Sequence, residues 1–250
     1  MKHYKLFVHT TQILLIIIFL AIWEMGSKEG YINSFIFSSP SSIVSTLFTL
    51  IKNGELIKHL WITLSEVLIA FSLGIVIAFA ISIIMYECKF IKDVIDPFLT
   101  MLNSMPKVAL GPIIIIWAGA NQKSIIVMAL LINVIISIIT FYTGFMNTDA
   151  LKLKLFRSFK ASKLQILTKL VIPSSIKTIV SSLKINISLT FIGVIMGEFL
   201  ISKKGIGYLI LYGTQVFNLN LVITGIFILI FLSYGLYIIV NWIEKKIQFE

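Results

Sequence analysis

Among the polar and charged side chains that interrupt the apolar blocks of this 250-residue chain, eight are candidates for function: Glu66, Asn103, Ser104, Lys107, Asn133, Lys184, Asn186 and Glu198. An ionisable group inside a long apolar run is a functional suspect, because charge is costly away from water. Glu198, in "MGEFL", reads either as an acid at a gate or as the acceptor that holds the following "KKGIGYL" turn. Lys184 lies 14 residues earlier, roughly 21 Å away along a helix. The two cannot pair, and Lys184 is expected to snorkel to the inner surface. Glu66 opens its apolar run, within reach of the outer interface. Lys107, beside Pro106, either faces the path of an anion or snorkels. Asn103, Ser104, Asn133 and Asn186 either line a route for a polar solute or hydrogen-bond one helix to another.

The chemistry that is missing narrows the reading. One cysteine, Cys88, allows no intramolecular disulfide. His3, His9 and His59 have no partners at metal-ligand spacing and read as incidental. There is no phosphate-binding G-x-x-x-x-G-K-[ST], no H-E-x-x-H and no G-x-S-x-G; "GANQKS" lacks the second glycine. No paired carboxylates are expected within one span. The chain is therefore read as neither an enzyme nor a holder of a cofactor or metal of its own. A secondary transporter or channel stays the rival class. Such a protein needs several acids or an unwound glycine-rich segment at mid-membrane, and neither these nor an inverted repeat is seen.

The elements that carry these residues follow from composition. The chain is 58% hydrophobic and 13% charged, with mean hydropathy +1.01; a soluble domain is about 45–50% apolar and about 25% charged. Six stretches are long and apolar enough to span a bilayer, near 6–23, 64–86, 97–118, 124–145, 178–201 and 221–243. The first has no small-x-small cleavage site after it and is kept as a membrane helix rather than a signal peptide. With the N-terminus placed in the cytoplasm, 13 Lys and Arg fall inside and 6 outside, so both termini are expected inside. The net charge of +10 then reports topology, and nucleic acid is not an expected partner. The chain divides into an N-terminal span (1–23), an external segment (24–63) and a core (64–250) with a loop at 148–175. In the external segment Ser39 caps a helix that has Pro40 at its first position and ends at Asn53-Gly54. Ile43, Val44, Leu47, Phe48, Leu50 and Ile51 give it an apolar side for the membrane surface. Pro106 and Pro112 interrupt the 97–118 span. They predict either a structural kink or a broken helix lining a transport route.

Seven of the inside cations lie in loop 146–177, which carries its own helix signals. Thr148 and Asp149 cap a helix from Ala150, with Leu151, Leu155, Phe156 and Phe159 on one face. Lys152, Lys154 and Lys163 point elsewhere. Ser162 and Gln165 form a capping box for a second helix carrying Leu164, Leu167 and Leu170, and Pro173 is expected to stop it. A turn falls at Phe159–Ser162. The apolar face either lies on the membrane or docks in a partner's groove.

The loop "DALKLKLFRSFKASKLQILTKLVIPSS" resembles the cytoplasmic signature of inner-membrane permeases of binding-protein-dependent ABC importers, E-A-A-x-x-x-G followed later by an apolar residue and Pro. "SSPSSIVSTLFTLIKNGELIKHLWITL", "LNSMPKVALGPIIIIWAG" and "IGVIMGEFLISKKGIGYLI" are similar to the branch handling nitrate, sulfonates, taurine and some vitamin precursors. The likeness runs from Phe37 to the C-terminus. It implies an all-α, type I importer permease fold with six transmembrane helices and a cytoplasmic coupling-helix loop. It also implies a second copy of the chain, two cytoplasmic ATPase subunits holding ATP and Mg, an extracytoplasmic solute-binding protein, and a prokaryotic inner membrane. Carried over by position, Lys154, Leu155 and Phe156 stand where the family has E-A-A, and Lys160 where it has Gly. Arg157, Ser158, Ala161, Ser162 and Pro173 match, and Phe159 completes the face. An ammonium at 154 in place of a carboxylate requires a different partner surface or a side chain turned to water. Lys160 is strained if its φ is positive. Asn103, Ser104, Pro106, Lys107, Asn133, Asn186 and Glu198 are the residues expected at the translocation path or gate.

Overall fold

The computed structural model describes residues 2–248. Met1, Phe249, Glu250 and the side chains of Lys2, His3, Lys5 and Gln248 lie outside the described residues, and with them the expectations for Lys2, Lys5 and His3. Every regular element among the described residues is helical. In chain order the helices of more than four residues are α1 (Lys2–Lys28), α2 (Pro40–Lys52), α3 (Glu55–Glu87), α4 (Lys89–Ser104), α5 (Gly111–Ala118), α6 (Gln122–Met146), α7 (Ala150–Ser158), α8 (Lys163–Ile201), α9 (Ile206–Gln215) and α10 (Leu219–Gln248). Helices α1, α3, α6, α8 and α10 are long and apolar enough to cross a membrane, and α4 with α5 makes a sixth if the bent pair is one span. This is the all-helical membrane fold that the sequence predicts.

Proline explains where the spans depart from expectation. The predicted 97–118 span is a helix pair bent by 94° between Ser104 and Lys107. Only Pro106 sits at that break. Pro112 opens α5 at a position whose N–H has no helical partner in any case, and Pro97 lies inside α4. Pro173 does not stop the second loop helix. The chain runs without a break from Lys163 to Ile201, because Leu167–Val171 widens into a π turn just before the proline. A wider turn absorbs the missing donor and the clash that Pro makes with an α-helical carbonyl.

The chain forms two compact units, Met1–Trp61 with Lys204–Ile230, and Ile62–Lys203 with Phe231–Glu250. In the first, the Ser39 hydroxyl accepts the Ser42 N–H at 3.2 Å and Pro40 leads α2, as predicted. Ile43 and Leu50 are buried while Val44, Phe48 and Ile51 are exposed, so α2 keeps an apolar side uncovered. His59 is not incidental: its Nδ1 accepts the Gly205 N–H at 2.9 Å, and its ring stacks on Tyr208.

In the second unit α6 and α8 pack closely along their length. Gly193 makes this possible: a Cβ there would stand 2.4 Å from the Ala129 Cα. Ala78, Met85 and Leu99 join Ile135, Ile138 and Phe141 of α6 in the core.

Candidate functional site

The loop after α6 is built from short-range signals. The Thr148 hydroxyl donates to the Phe145 carbonyl at 2.8 Å and faces Ser174 at 3.2 Å. Asp149 Oδ1 accepts the Leu151 N–H at 2.8 Å and caps α7. At the other end of α7 the Lys160 N–H donates to Arg157 O and the Ala161 N–H to Phe156 O, at 2.9 and 3.1 Å. That is the Schellman closure, which places the residue after the cap in the left-handed region. Lys160 occupies it with φ +53°. The glycine of the related pattern is thus explained by geometry, and Lys160 carries a strain of about 1–2 kcal/mol. The capping box then closes fully, with Ser162 N donating to Gln165 Oε1 at 2.8 Å and Gln165 N to Ser162 Oγ at 3.2 Å.

Packing divides the faces of α7. Leu153 turns inward onto a cluster of Phe145, Leu167 and Val171, which is buttressed by edge-on contacts of Phe145 with Phe79 and Tyr86. Phe156 is half-buried on the same side. Leu151, Leu155 and Phe159, spaced i, i+4, i+8, stay exposed at 74%, 52% and 76%. The single apolar face expected from sequence is therefore two: one seats the helix and the other is offered outward. Lys154, Arg157, Ser158, Lys160 and Ser162 are exposed around it, and Ala161 is half-buried. A cleft of about 590 Å³ opens beneath α7, lined by Tyr86, Glu87, Phe145, Leu153, Arg157 and Lys163 among others.

The polar groups of the spans fall into two sets. Asn103, Ser104 and Pro106 are exposed at the break between α4 and α5. Lys107 curls back there, its Nζ donating to the Asn103 carbonyl at 3.1 Å, and so caps the end of α4. Asn133, Asn186 and Glu198 are fully buried in the second unit. Ser137 donates to Asn133 Oδ1 at 2.8 Å, while Asn133 Nδ2 lies against Gly74, where a Cβ would be 2.5 Å away. Both amide atoms of Asn186 are buried without a hydrogen-bond partner, as is Asn133 Nδ2.

One sequence reading gains a partner here and one is corrected. Lys184 is held in an ion pair with Glu244, whose other oxygen accepts from Ser181 at 2.6 Å, and its ammonium lies 5.8 Å from the Tyr237 ring centre. Glu66 is not at an interface: it is 1% exposed, one turn along α3 from Thr63, whose Oγ1 donates to Glu198 at 2.6 Å. Two acids from different helices, Glu66 and Glu198, are thus buried in the second unit. No local signal links Thr63 to Glu198 across 135 residues.

Residues 70–249 match the sequence profile described as binding-protein-dependent transport system inner membrane component. A Haemophilus influenzae protein named as an ABC transporter permease protein is 29% identical over 94% of this chain and 95% of its own. A Bacillus subtilis protein named as the aliphatic sulfonates transport permease protein SsuC is 28% identical over 86% of this chain and 78% of its own. A chain from inward-facing conformations of the MetNI methionine ABC transporter shares the fold with a TM-score of 0.67 at 16% identity, covering 75% of this chain and 93% of that one.

Proposed function

The chain belongs to the binding-protein-dependent transport system inner membrane component family, and from that premise we propose that it forms half of a translocation path for a small solute, coupled through loop 148–175 to a separate ATPase. The observation that carries this reading is the exposed stripe Leu151, Leu155 and Phe159 on a helix that Leu153 and two caps hold in place. Apolar side chains at i, i+4 and i+8 are what a partner's groove receives from a docked helix. The residues assigned to coupling are Lys154 through Ser162, with Lys154 turned to water rather than into the partner.

Two copies of the chain would enclose the path, with ATP and Mg on two cytoplasmic ATPase subunits and a solute-binding protein delivering substrate from outside. Both termini would lie in the cytoplasm of a prokaryotic cell, as the lysine asymmetry of the loops supports. Closure of the ATPases would move the loops and rock the spans between inward-open and outward-open states. The substrate class is a sulfonate-, taurine- or nitrate-like anion or a vitamin precursor, supported by the sulfonate permease relative and by the motifs at 38–64, 102–119 and 192–210. Asn103, Ser104, Pro106 and Lys107 are the path groups already exposed, whereas Asn133, Asn186 and Glu198 would reach a path only after the spans rearrange. The test is solute uptake in vesicles with and without the ATPase. Uptake that requires ATP and the ATPase is expected; uptake by this chain alone would replace the importer with a secondary transporter or channel.

A further inference from the structure

Docking through the outward stripe of α7 leaves the cleft of about 590 Å³ beneath that helix unused. Its walls are the ends of α3 and α6, the helix α7 and the first turn of α8, all in the second unit. Because α3, α6 and α8 are long and apolar enough to span a bilayer, a cleft at their ends lies level with a membrane surface. Its floor is apolar: Phe145 is buried, and Leu153 and Ile166 are half-buried. Its rim is polar, with Glu87, Arg157 and Lys163 exposed and Tyr86 half-buried.

Leu153 and Arg157 are one helical turn apart and share a side of α7. At about 100° per residue, that side is opposite Leu155, the middle of the outward stripe. Arg157 therefore faces the cleft rather than the docking surface. Two cations and one carboxylate leave the rim with one net positive charge. The surroundings add to it: residues 146–177 hold seven Lys and Arg and a single acid, Asp149, whose Oδ1 is taken up in capping α7. One phosphodiester balances the rim. A guanidinium fork and an ammonium are the side chains that grip phosphate best, while the Glu87 carboxylate and the Tyr86 hydroxyl suit hydroxyl groups beside it. The apolar floor suits a glycerol and the first methylenes of acyl chains. Basic pockets between spans at the inner membrane surface take anionic head groups in this way.

We propose that this cleft holds the head group of one anionic phospholipid of the inner leaflet, with its phosphate between Arg157 and Lys163 and its glycerol over Phe145, Leu153 and Ile166. The lipid wedges α7 against the ends of α3 and α6, so the composition of the leaflet sets how firmly the loop is seated for the ATPase. The proposal rests on the cytoplasmic placement and coupling role given to the loop above. Its test uses neither ATPase nor solute, so it fails independently of that reading.

The full-length chain, purified in an uncharged detergent and titrated with phosphatidylglycerol, phosphatidylethanolamine or phosphatidylcholine, tests this by native mass spectrometry of the retained lipid. Wild type is expected to retain one phosphatidylglycerol per chain in preference to the other two. Arg157→Gln and Lys163→Gln should each weaken that retention about fivefold, the effect of one cation near a lipid phosphate. Lys152→Gln removes the same charge from the same loop outside the cleft and should change nothing. Glu87→Gln removes the one acid of the rim and should tighten retention. Since the wild-type comparison of lipids needs no variant, poor folding of a variant would not shield the claim. Equal retention of phosphatidylglycerol and phosphatidylcholine would overturn the proposal, as would a loss in Lys152→Gln equal to that in Arg157→Gln, which would show diffuse attraction. Phosphatidylethanolamine retained as well as phosphatidylglycerol and lost in Glu87→Gln would assign the cleft to a zwitterionic head group and overturn it equally. Displacement of phosphatidylglycerol by an equal concentration of inorganic phosphate would make the ligand a free anion and also overturn it.

Discussion

The α6–α8 pair and the loop helix α7 are both rich in apolar residues, yet they use them oppositely. Where α6 and α8 meet, Ile125, Met128, Ile187, Phe191 and Val194 are buried, helix meets helix across Gly193 and Gly197, and even Asn133 and Asn186 are sealed inside. On α7 no residue is buried, and Leu151, Leu155 and Phe159 point away from the protein. The first region behaves as scaffold, whose stability comes from close packing. The second behaves as a surface whose burial is left for another molecule to complete.

Substitutions that separate the two regions follow from this contrast. The largest effect is expected at Gly193→Val, which drives a side chain into the Ala129 backbone. It should destabilise the chain by about 3 kcal/mol or more, seen as a collapse of the thermal unfolding midpoint in detergent. Glu244→Gln comes next. It leaves Lys184 without its carboxylate and should lower the thermal midpoint by less than Gly193→Val does, while the loop's partner binding should be unchanged. Ser162→Ala removes the capping box between the loop helices and should cost about 1 kcal/mol. The smallest change has the opposite sign. Lys160→Gly relieves the left-handed backbone at φ +53° and should raise stability by about 1 kcal/mol without weakening docking. A destabilised Lys160→Gly variant would show that the lysine side chain makes a contact worth more than the strain.

How much of this could be read in the sequence depends on the range of the cause. Caps at Ser39, Asp149 and Ser162 formed as predicted because each needs only residues two or three positions away. The spans were legible from hydropathy alone. The bend at Pro106 and the helix through Pro173 look alike in sequence, since both are a proline in an apolar run. They differ because a π turn at 167–171 rescues one and nothing rescues the other. The helix Ile206–Gln215 read as a turn, since Gly205 hides its start behind a φ of +108°. The pairings Thr63 with Glu198 and Lys184 with Glu244 were invisible, because each joins helices far apart in the chain. The two faces of α7 were merged for the same reason: the i, i+4, i+5, i+8 spacing is known locally, but the Phe145, Leu167 and Val171 cluster that claims Leu153 is assembled only in the fold.

The central claim is that the outward stripe of α7 binds the ATPase while its inner face holds the loop. Co-purification of the Phe159→Asp chain with its partner ATPase tests this most directly, with the thermal midpoint of the isolated chain as control. Because Phe159 is 76% exposed, the account predicts an unchanged midpoint and at least about a tenfold loss of ATPase recovery, the effect of removing roughly 1.4 kcal/mol of binding. Undiminished recovery with an unchanged midpoint would contradict it.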